Sequence, residues 1–353
     1  MSRRAPLLPL ACSFIAVVAC HQSAPVTVAT VPATTIAARV VAAGSRIERL
    51  DPAIDALLPA NTIVEKLAEG FDWTEGPLWR RDKGDLLFSD IPKNTIYKWK
   101  DGEGISVFLR PAGYSGPTPP GRELGTNGLT RDAMGRLVVA DHGNRGIARW
   151  NDSIFTRTML AERYEGKRFN SPNDVVYAPN GDLYFTDPPY GLGGLNVDPA
   201  KELPFNGVYR LSPNGTVTLL VRELTFPNGI ALSPDARTLY VAISDGKNPY
   251  IMAYDVQADG TVARGRIFFD AGARVRQGLR GGLDGMKVDA RGNLFATGPG
   301  GILVLSPAGK HLGTIVPGDV VANCAFGDDG STLYMTVNHQ LMRVRTSTKG
   351  LGF

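Results

Sequence analysis

Six short motifs along the chain each begin with an acidic or amide residue, in most cases followed by a small residue and an apolar stretch. The residues that begin these motifs are Glu75, Asn127, Asn173, Asn228, Asp284 and Asn323. Carboxylate and amide oxygens are the ligands that Ca²⁺, Mg²⁺ and Mn²⁺ prefer in proteins. If the fold brings the six side chains together, they form a ring of oxygen atoms in which two carboxylates balance one divalent ion.

A divalent ion in such a ring could act in two ways. With four protein ligands, Ca²⁺ would keep coordination positions for a substrate oxygen and a water, and would then polarise a carbonyl and help to ionise the water. Alternatively, the ion could be a structural plug in the channel. The chain has four histidines, His21, His142, His311 and His339, and none of them begins a motif. A zinc site of the usual type is therefore not expected, and only oxygen-bound Zn²⁺ stays open.

The Asn-Gly pairs in these motifs have a second interpretation, because Asn-Gly is a common hairpin turn. Turns of that kind are expected at Asn180-Gly181 and Asn214-Gly215, each between two strands of one blade. The motif positions differ because each precedes an apolar strand, and because Glu75 and Asp284 replace Asn in the same register. We therefore interpret them as ring positions rather than turns.

A second pattern, a turn followed by a β-rich strand, recurs six times and supplies the elements that would position the ring. Its leucines lie 39 to 56 residues apart, at Leu86, Leu137, Leu183, Leu239, Leu294 and Leu333. Repeats of this kind are typical of β-propeller blades, which surround a central channel. The sequence thus predicts an all-β, six-bladed β-propeller over residues 61–345 with a metal site in the channel. A strand over 62–67 is expected to pair with the last blade and remove an exposed edge.

Composition excludes several other classes of protein. The chain has 353 residues, and its 41 glycines and 25 prolines disfavour helical bundles. A hydrophobic content of 43% argues against disorder, and three cysteines are too few for a disulfide framework. The net charge of +4 is scattered, so no nucleic-acid partner is expected. The sequence also lacks the Gly-x-Ser-x-Gly elbow of serine hydrolases and a phosphate-binding loop.

The N-terminus has the features of a bacterial lipoprotein signal. A short basic stretch is followed by apolar residues over 5–19, too few to span a bilayer comfortably, and then by Cys20. Residues 1–19 are therefore predicted to be a signal peptide and Cys20 to carry the lipid, with simple secretion as the alternative. Residues 20–60 are expected to form a tether with a short helix over 46–58. Because position 21 is His rather than Asp, we expect an outer-membrane anchor facing the periplasm.

Several ordered motifs together resemble the SMP-30/gluconolactonase/luciferin-regenerating-enzyme-like family, and the resemblance covers about residues 50–345. The opening motif is Phe-Asp-Trp-Thr-Glu-Gly-Pro-Leu-Trp at 71–79. The supporting motifs lie at 126–130, 141–145, 171–175, 186–192, 226–230 and 283–286. The resemblance implies a six-bladed propeller with a divalent cation, most commonly Ca²⁺, in its channel. It also implies that the ligands are Glu75, Asn173, Asn228 and Asp284.

The reaction implied by the resemblance is hydrolysis of a sugar lactone to its acid, with Asp284 as the general base that activates water. Asn127 and Asn323 are expected to lie behind the cation ligands or to touch substrate. Sugar hydroxyls are also expected to meet His142, Arg145, Asp187 and Tyr190. For His142 and Arg145 the alternative is a pair that braces a loop, and Asp187 could brace the channel loops or help to hold a second ion.

The expected partners are a small sugar lactone and, through the lipid only, a membrane. Nothing in the chain demands a protein partner. Two rival functions stay open at this point. One is hydrolysis of an aryl ester or phosphotriester on the same fold, which a wide apolar mouth would favour. The other is a non-catalytic propeller that binds a ligand or protein, although such a protein need not keep two carboxylates and two asparagines in ring register.

Overall fold

The structure is a computed structural model that describes residues 40–117 and 121–353. It forms six antiparallel blades of four main strands each, numbered here in chain order, and two of these sheets carry a fifth strand. The strands of blades 1 to 3 are Thr74–Arg80, Asp85–Asp90, Thr95–Lys100 and Gly104–Leu109; Thr126–Arg131, Leu137–Asp141, Gly146–Asn151 and Thr156–Ala161; and Val175–Tyr177, Leu183–Asp187, Gly207–Leu211 and Val217–Val221. Those of blades 4 and 5 are Pro227–Leu232, Thr238–Ile243, Tyr250–Val256 and Val262–Asp270; and Met286–Val288, Leu294–Gly298, Gly301–Leu305 and His311–Val316.

Blade 6 combines the two ends of the chain. Its first three strands are Val321–Gly327, Thr332–Val337 and Gln340–Arg345, and its fourth is Val64–Glu69 from the N-terminal side of blade 1. The closing strand pairs antiparallel with Gln340–Arg345. The first strands of successive blades lie side by side, including those of blades 6 and 1. The predicted six-bladed propeller, closed by an N-terminal strand, is therefore confirmed.

The hydrophobic core is divided among the interfaces between blades. Six clusters of buried apolar side chains are present in the described part of the chain, and each joins two neighbouring blades. Between blades 6 and 1, for example, Trp79 stacks on Tyr334 with ring centroids 5.5 Å apart. Because burial of apolar area is what holds the blades together, the alternating apolar residues of the repeats fix the ring of blades.

A few short elements are not among the four main strands of the blades. They are a hairpin of Arg163–Tyr164 and Lys167–Arg168, the 3₁₀ turns Pro52–Ala56 and Leu195–Val197, the α-helix Gly272–Arg276, and the strands Val40–Val41 and Arg46–Arg49. None of the helices in the described part of the chain is long and apolar enough to cross a membrane.

The segment from residue 40 to residue 60 differs from the expected tether with a helix over 46–58. Val40–Val41 pairs with the closing strand, and Arg46–Arg49 adds a fifth strand to blade 5. The Asp-Pro signal does cap a helical turn, since Asp51 accepts a hydrogen bond from Ala53 N, but that turn is the 3₁₀ turn Pro52–Ala56. The free backbone groups of the blade edges explain the difference, because they pair with a passing chain. The signal peptide, Cys20 and the tether up to residue 39 lie outside the described residues.

Substitution of Ile54 by Ala is expected to lower the free energy of unfolding by about 3 kcal/mol, as for other fully buried aliphatic side chains. Ile54 has no exposed surface and packs in the cluster between blades 5 and 6. The matched control is Ile63→Ala, because Ile63 is 48% exposed. Equilibrium unfolding in urea measures both. Equally small effects would show that this segment is not part of the cooperative fold.

Candidate functional site

The ring residues are positioned by irregularities in the innermost strands. In blades 1, 2, 4 and 6 the register between the first and second strands shifts at the motif, as in a β-bulge. A bulge bends a strand and re-aims its side chains. In blades 3 and 5 the first strand begins only after the motif, at Val175 and Met286. The repeated motif thus interrupts regular pairing at the same place in each blade.

The glycine that follows a ring residue is required by the close approach of neighbouring blades. A Cβ atom on Gly76 would lie 2.0 Å from the backbone oxygen of Asn127, and one on Gly229 would lie 2.0 Å from that of Asp284. Gly76 also has a φ of 49°, which residues with a side chain rarely adopt. Each glycine therefore lets one ring residue pack against the ring residue of another blade.

Hydroxyl side chains on the second strands also fix the ring. Ser89 Oγ donates to Asn127 O at 2.9 Å, and Thr186 Oγ1 donates to Asn228 O at 2.6 Å. Both bonds run from one blade to the ring residue of the next. The Ser or Thr near the end of the repeated strand pattern therefore serves to hold the backbone of the following motif.

Five of the six ring residues line one cavity of about 550 Å³ at the channel mouth; Asn323 does not. The polar lining residues are Glu75, Arg122, Glu123, Asn127, Asn173, Tyr190, Asn228, Ser244 and Asp284. The remainder of the wall is formed by Trp73, Ile91, Pro92, Gly282, Val320 and Val321. The cavity therefore combines a cluster of oxygen-bearing side chains with an apolar wall.

The two ring carboxylates have no cationic partner in the described residues, because neither Glu75 nor Asp284 takes part in an ion pair there. Glu75 Oε2 accepts hydrogen bonds from Gly76 N at 2.9 Å and from Asn323 Nδ2 at 3.2 Å. Burial, reinforced by the charge of Asp174, raises the pKa of Glu75 to about 8. Burial and the Glu75 charge raise the pKa of Asp284 well above its usual range. Two enclosed like charges of this kind favour a proton or a cation between them.

Two ring amides present an unpaired oxygen. Asn228 Nδ2 donates to Ser244 Oγ at 2.8 Å, and Asn127 Nδ2 lies 3.4 Å from His142 Nε2. The Oδ1 atoms of both asparagines are buried and have no hydrogen-bond partner in the described structure. Because an unsatisfied buried acceptor is costly, these oxygens indicate sites for a ligand.

The residues present fit a divalent cation with oxygen ligands. The cavity brings together the carboxylates of Glu75 and Asp284, the amide of Asn173 and the unpaired Oδ1 of Asn228. No group of three or more His, Cys, Asp or Glu side chains forms a metal cluster in the described part of the chain. The amide oxygens would therefore have to complete the ligand set, as the hard-oxygen chemistry of Ca²⁺ and Mg²⁺ permits.

Asn323 and His142 lie behind the cavity rather than on its surface. Asn323 is fully engaged, since its Nδ2 donates to Glu75 and its Oδ1 accepts from Cys324 N at 2.9 Å. The His142 side chain has no exposed surface, and its two ring nitrogens contact Glu123 and Asn127, which line the cavity. Neither side chain contacts the cavity as a sugar-binding group would, so both can act only through a neighbour.

Arg145 and Asp187 do not line the cavity, and their contacts match the bracing alternative. Arg145 Nε donates to Phe169 O at 2.7 Å, and its Nη1 donates to Ala200 O at 2.9 Å. The Asp187 carboxylate accepts from Asn170 N and Ser171 N, both at 2.8 Å. These side chains hold the loop that leads to the ring residue of blade 3. They contact backbone instead of the expected sugar hydroxyls.

Blade 1 contains the counterpart of the Asp187 brace. The Asp90 carboxylate accepts from Asp72 N and Trp73 N, which lie three and two residues before Glu75. Asn170 and Ser171 have the same offsets from Asn173. The final Asp of the repeated strand pattern is thus a structural brace for a ring residue in both blades. Burial nevertheless raises the pKa of Asp187 to about 7.

Tyr190 lies where a ligand would meet it. It lines the cavity and stacks on Phe226 with ring centroids 5.7 Å apart. Burial raises the pKa of its hydroxyl, which therefore remains a hydrogen-bond donor at neutral pH.

Four polar residues near the ring were not predicted as site residues, and one of them, Arg122, directly precedes Glu123. Glu123 lies in the loop between blades 1 and 2, outside any repeat, and Ser244 follows the second strand of blade 4. Asp174 is a third buried carboxylate, held by Val175 N at 2.9 Å and Ile230 N at 3.2 Å. Only Asp174 carried a signal in the sequence, because it occupies the position that is Gly in blades 1, 2, 4 and 5.

Comparison with known proteins places the chain in a family. Residues 73–339 match the model described as the SMP-30/Gluconolactonase/LRE-like region. A gluconolactonase from Zymomonas mobilis is 43% identical over 316 residues, which are 86% of this chain and 87% of that protein. A pentonolactonase from Haloferax volcanii is 28% identical over 74% of this chain and 80% of its own length.

A solved structure shows the same architecture. The gluconolactonase of Xanthomonas campestris superimposes with a TM-score of 0.77 at 30% identity, over 90% of this chain and all of that one. The family match covers most of the blades and includes all five ring residues that line the cavity. This chain therefore belongs to the SMP-30/gluconolactonase/LRE-like family.

Proposed function

We propose that this protein is a lactonase that hydrolyses a sugar lactone to the aldonic acid with the help of a divalent cation. Ca²⁺ is the expected ion, with Mg²⁺, Mn²⁺ and Zn²⁺ as alternatives. The observation that carries the proposal is the cavity lined both by two carboxylates that form no ion pair and by two asparagines whose buried amide oxygens have no hydrogen-bond partner in the described structure. The similarity to proteins named gluconolactonase and pentonolactonase supports the choice of substrate class.

The shape of the cavity supports a cyclic, hydroxylated substrate. Its apolar wall, with Trp73 and Val321, offers a surface for the carbon face of a ring. Asn127, Tyr190 and Ser244 offer hydrogen bonds to groups at the edge of the substrate's cyclic skeleton. Polar groups and apolar wall together suit a lactone that bears hydroxyl groups.

In the proposed reaction, water adds to the lactone carbonyl, the ring C–O bond breaks, and its oxygen leaves as a hydroxyl. Asp284 would accept the proton of the attacking water, a role that requires its ionised carboxylate, and would return that proton to the departing ring oxygen. Glu75, Asp284 and the amide oxygens of Asn173 and Asn228 would hold the cation. When bound, a divalent cation would polarise the lactone carbonyl and favour the ionised carboxylates. The Tyr190 hydroxyl would donate a hydrogen bond that orients the substrate.

The rival functions have less support. Phosphotriester or aryl-ester hydrolysis needs no hydroxyl-binding groups, yet amide, phenol and hydroxyl side chains from three blades converge here. A binding protein without catalysis would not need two enclosed carboxylates that form no ion pair. Both become the preferred interpretation only if the following experiment fails.

The test uses soluble protein that begins after Cys20. The protein is stripped with chelator, and hydrolysis of D-glucono-1,5-lactone is followed by pH-stat while Ca²⁺, Mg²⁺, Mn²⁺ or Zn²⁺ is added back singly. Turnover that returns with a cation is the expected result. A protein that binds a cation but hydrolyses no lactone would exclude the proposed function and direct the assay to aryl esters and phosphotriesters.

Cation binding should release at least about one proton at pH 7, because Glu75 is protonated there in the cation-free protein but must be ionised as a ligand, and the raised pKa of Asp284 adds to the release. The affinity should therefore rise with pH, roughly tenfold from pH 6 to pH 7 for each proton displaced. By the same linkage, the raised pKa stabilises the cation-free fold at acid pH, and this contribution is lost as pH rises through about 8. Calorimetry in buffers of different ionisation enthalpy measures the protons. An affinity independent of pH would contradict cation binding at this carboxylate.

We also propose that the protein is exported and anchored through Cys20, facing the periplasm from the outer membrane. Cys20→Ser should move the protein from the membrane fraction to the soluble fraction of lysed cells, because the thiol that would carry the lipid is lost. Cys12→Ser is the matched control, since this cysteine lies within the segment removed by cleavage, and it should leave the protein in membranes. Membrane retention of the Cys20→Ser protein would argue against lipidation.

A further inference from the structure

Three side chains, those of Glu123, His142 and Asn127, form a continuous series of polar contacts that ends at a ring residue. Glu123 Oε2 lies 2.8 Å from His142 Nδ1, and His142 Nε2 lies 3.4 Å from Asn127 Nδ2. The Glu123 side chain is 17% exposed, whereas that of His142 has no exposed surface. Glu123 and Asn127 line the cavity, and the imidazole is enclosed behind them.

The donor and acceptor groups of these three side chains fix the direction of the hydrogen bonds between them. An ionised carboxylate can only accept hydrogen bonds, so the contact with Glu123 places a proton on His142 Nδ1. With that proton on Nδ1 and none on Nε2, Nε2 carries a lone pair that accepts from the Asn127 amide NH₂. The Asn127 Oδ1 atom must therefore point the other way, and this is the atom that is buried without a partner.

Blade 4 shows the same device with different residues. Ser244 Oγ donates to Leu283 O, so its lone pair accepts from Asn228 Nδ2, and Asn228 Oδ1 is again buried and unpaired. Two independent sets of hydrogen-bond partners thus orient the side-chain amides of Asn127 and Asn228 in the same way. An arrangement that appears twice with different chemistry indicates that the orientation of the amide oxygens is what matters.

We infer that Glu123 and His142 are positioning residues that hold the Asn127 amide with its oxygen toward the cavity, where it accepts a hydrogen bond from a hydroxyl group of the substrate. The inference rests on the proposed lactonase function and names the substrate class as a lactone that bears a hydroxyl near its reacting ring. A hydroxyl is the matching group because an amide oxygen only accepts hydrogen bonds, and a hydroxyl is the donor that a sugar lactone supplies.

A site built around an oriented acceptor discriminates against substrates without the matching hydroxyl, because the acceptor is then left unpaired. The selectivity is the ratio of kcat/KM for D-glucono-1,5-lactone to kcat/KM for δ-valerolactone, which has no hydroxyl groups. Loss of one neutral hydrogen bond corresponds to roughly tenfold. The Glu123→Met protein should therefore show a selectivity about tenfold below that of the wild type.

The conservative variant Glu123→Gln provides the rescue control. Its amide oxygen can still accept from His142 Nδ1, so its selectivity should stay within about threefold of the wild-type value. In the Asn127→Leu background, adding Glu123→Met should change the selectivity no further, because the positioned group is already gone. Equal losses on both lactones, or additive losses in the double variant, would mean that Glu123 acts on the fold alone and would overturn the inference.

Two further readouts do not depend on turnover. In ¹⁵N-histidine-labelled protein, the His142 signals, assigned by their absence in His142→Phe, should show the tautomer with the proton on Nδ1; a proton on Nε2 would overturn the pairing. The Ca²⁺ affinity of Glu123→Met should stay within about threefold of the wild type; a larger loss would make Asn127 a cation ligand. If the wild type hydrolyses neither lactone, the proposed function fails, and the NMR result alone decides the orientation of the pair.

Discussion

The Asp284→Asn protein is expected to hydrolyse D-glucono-1,5-lactone at least about 10³-fold more slowly than the wild type, measured as kcat/KM by pH-stat with saturating Ca²⁺. The size follows from losing a general base, which is typically worth 10²- to 10⁴-fold, and one charge of the cation site at the same time. The substitution keeps the volume of the side chain. It also relieves the repulsion between two enclosed carboxyl groups that raises the pKa of Asp284. The variant should therefore fold at least as stably as the wild type.

The control for this variant is Asp245→Asn. Asp245 follows Ser244 closely, yet its carboxylate accepts from Lys247 N and from Thr225 Oγ1 and does not line the cavity. The control protein should retain the wild-type kcat/KM within about threefold. Near-normal turnover by Asp284→Asn, in protein with an unchanged far-ultraviolet circular dichroism spectrum, would remove Asp284 from the roles of base and ligand.

The Glu75→Gln protein is expected to bind Ca²⁺ at least about 100-fold more weakly than the wild type in isothermal titration calorimetry. It loses a charged oxygen, and a neutral amide has to replace it; even residues that only support a ligand cost 10- to 100-fold. Turnover should fall in parallel at limiting Ca²⁺ and recover partly at high Ca²⁺. The expected loss is one of affinity because Asp284 is still present.

Two further variants test whether the loss of Ca²⁺ affinity is specific to the Glu75 carboxylate and its hydrogen-bond partner. Asn323→Leu removes the hydrogen bond to Glu75 Oε2 and should weaken Ca²⁺ binding by about tenfold. Glu69→Gln changes an exposed carboxylate on the closing strand and should leave the affinity unaltered. An unchanged Ca²⁺ affinity in Glu75→Gln would show that this carboxylate does not hold the cation.

The fold was predictable because it is repetitive. A turn and strand that return six times specify blades, and Glu75 and Asp284 in the register of four asparagines specify a ring around the channel. The closing strand was also predictable, because the last blade would otherwise keep an exposed edge. The structure places five of the six ring residues on one cavity, as a rotation axis requires.

The parts of the site that the repeats do not contain could not be predicted. Glu123 comes from a connecting loop, and its approach to His142 depends on how that loop folds over the mouth. Asp187 shows the opposite case, since its contacts match the bracing alternative rather than the predicted contact with sugar hydroxyls. This Asp belongs to the repeat, and Asp90 makes the same two backbone contacts in blade 1. A residue that recurs in several blades at one offset is explained by the architecture before it is explained by the substrate.

The prediction for residues 40–60 differs from the structure for a third reason. Its pattern is too short and too mixed to identify a strand, and its conformation comes from the blade edges to which it pairs. Only Asp51 and the following proline gave a local signal, and the turn that they cap is present.

The closing strand determines when this protein can finish folding. Val64–Glu69 must wait for Gln340–Arg345, its partner near the other end of the chain. Contacts of such long sequence separation form late, because the entropy of closing the intervening loop must be overcome first. The ring, and with it the cavity that blades 1 and 5 share, is therefore assembled only after nearly the whole polypeptide has been synthesised. A chain that completes its fold so late can cross a membrane while still unfolded and become active only on the far side.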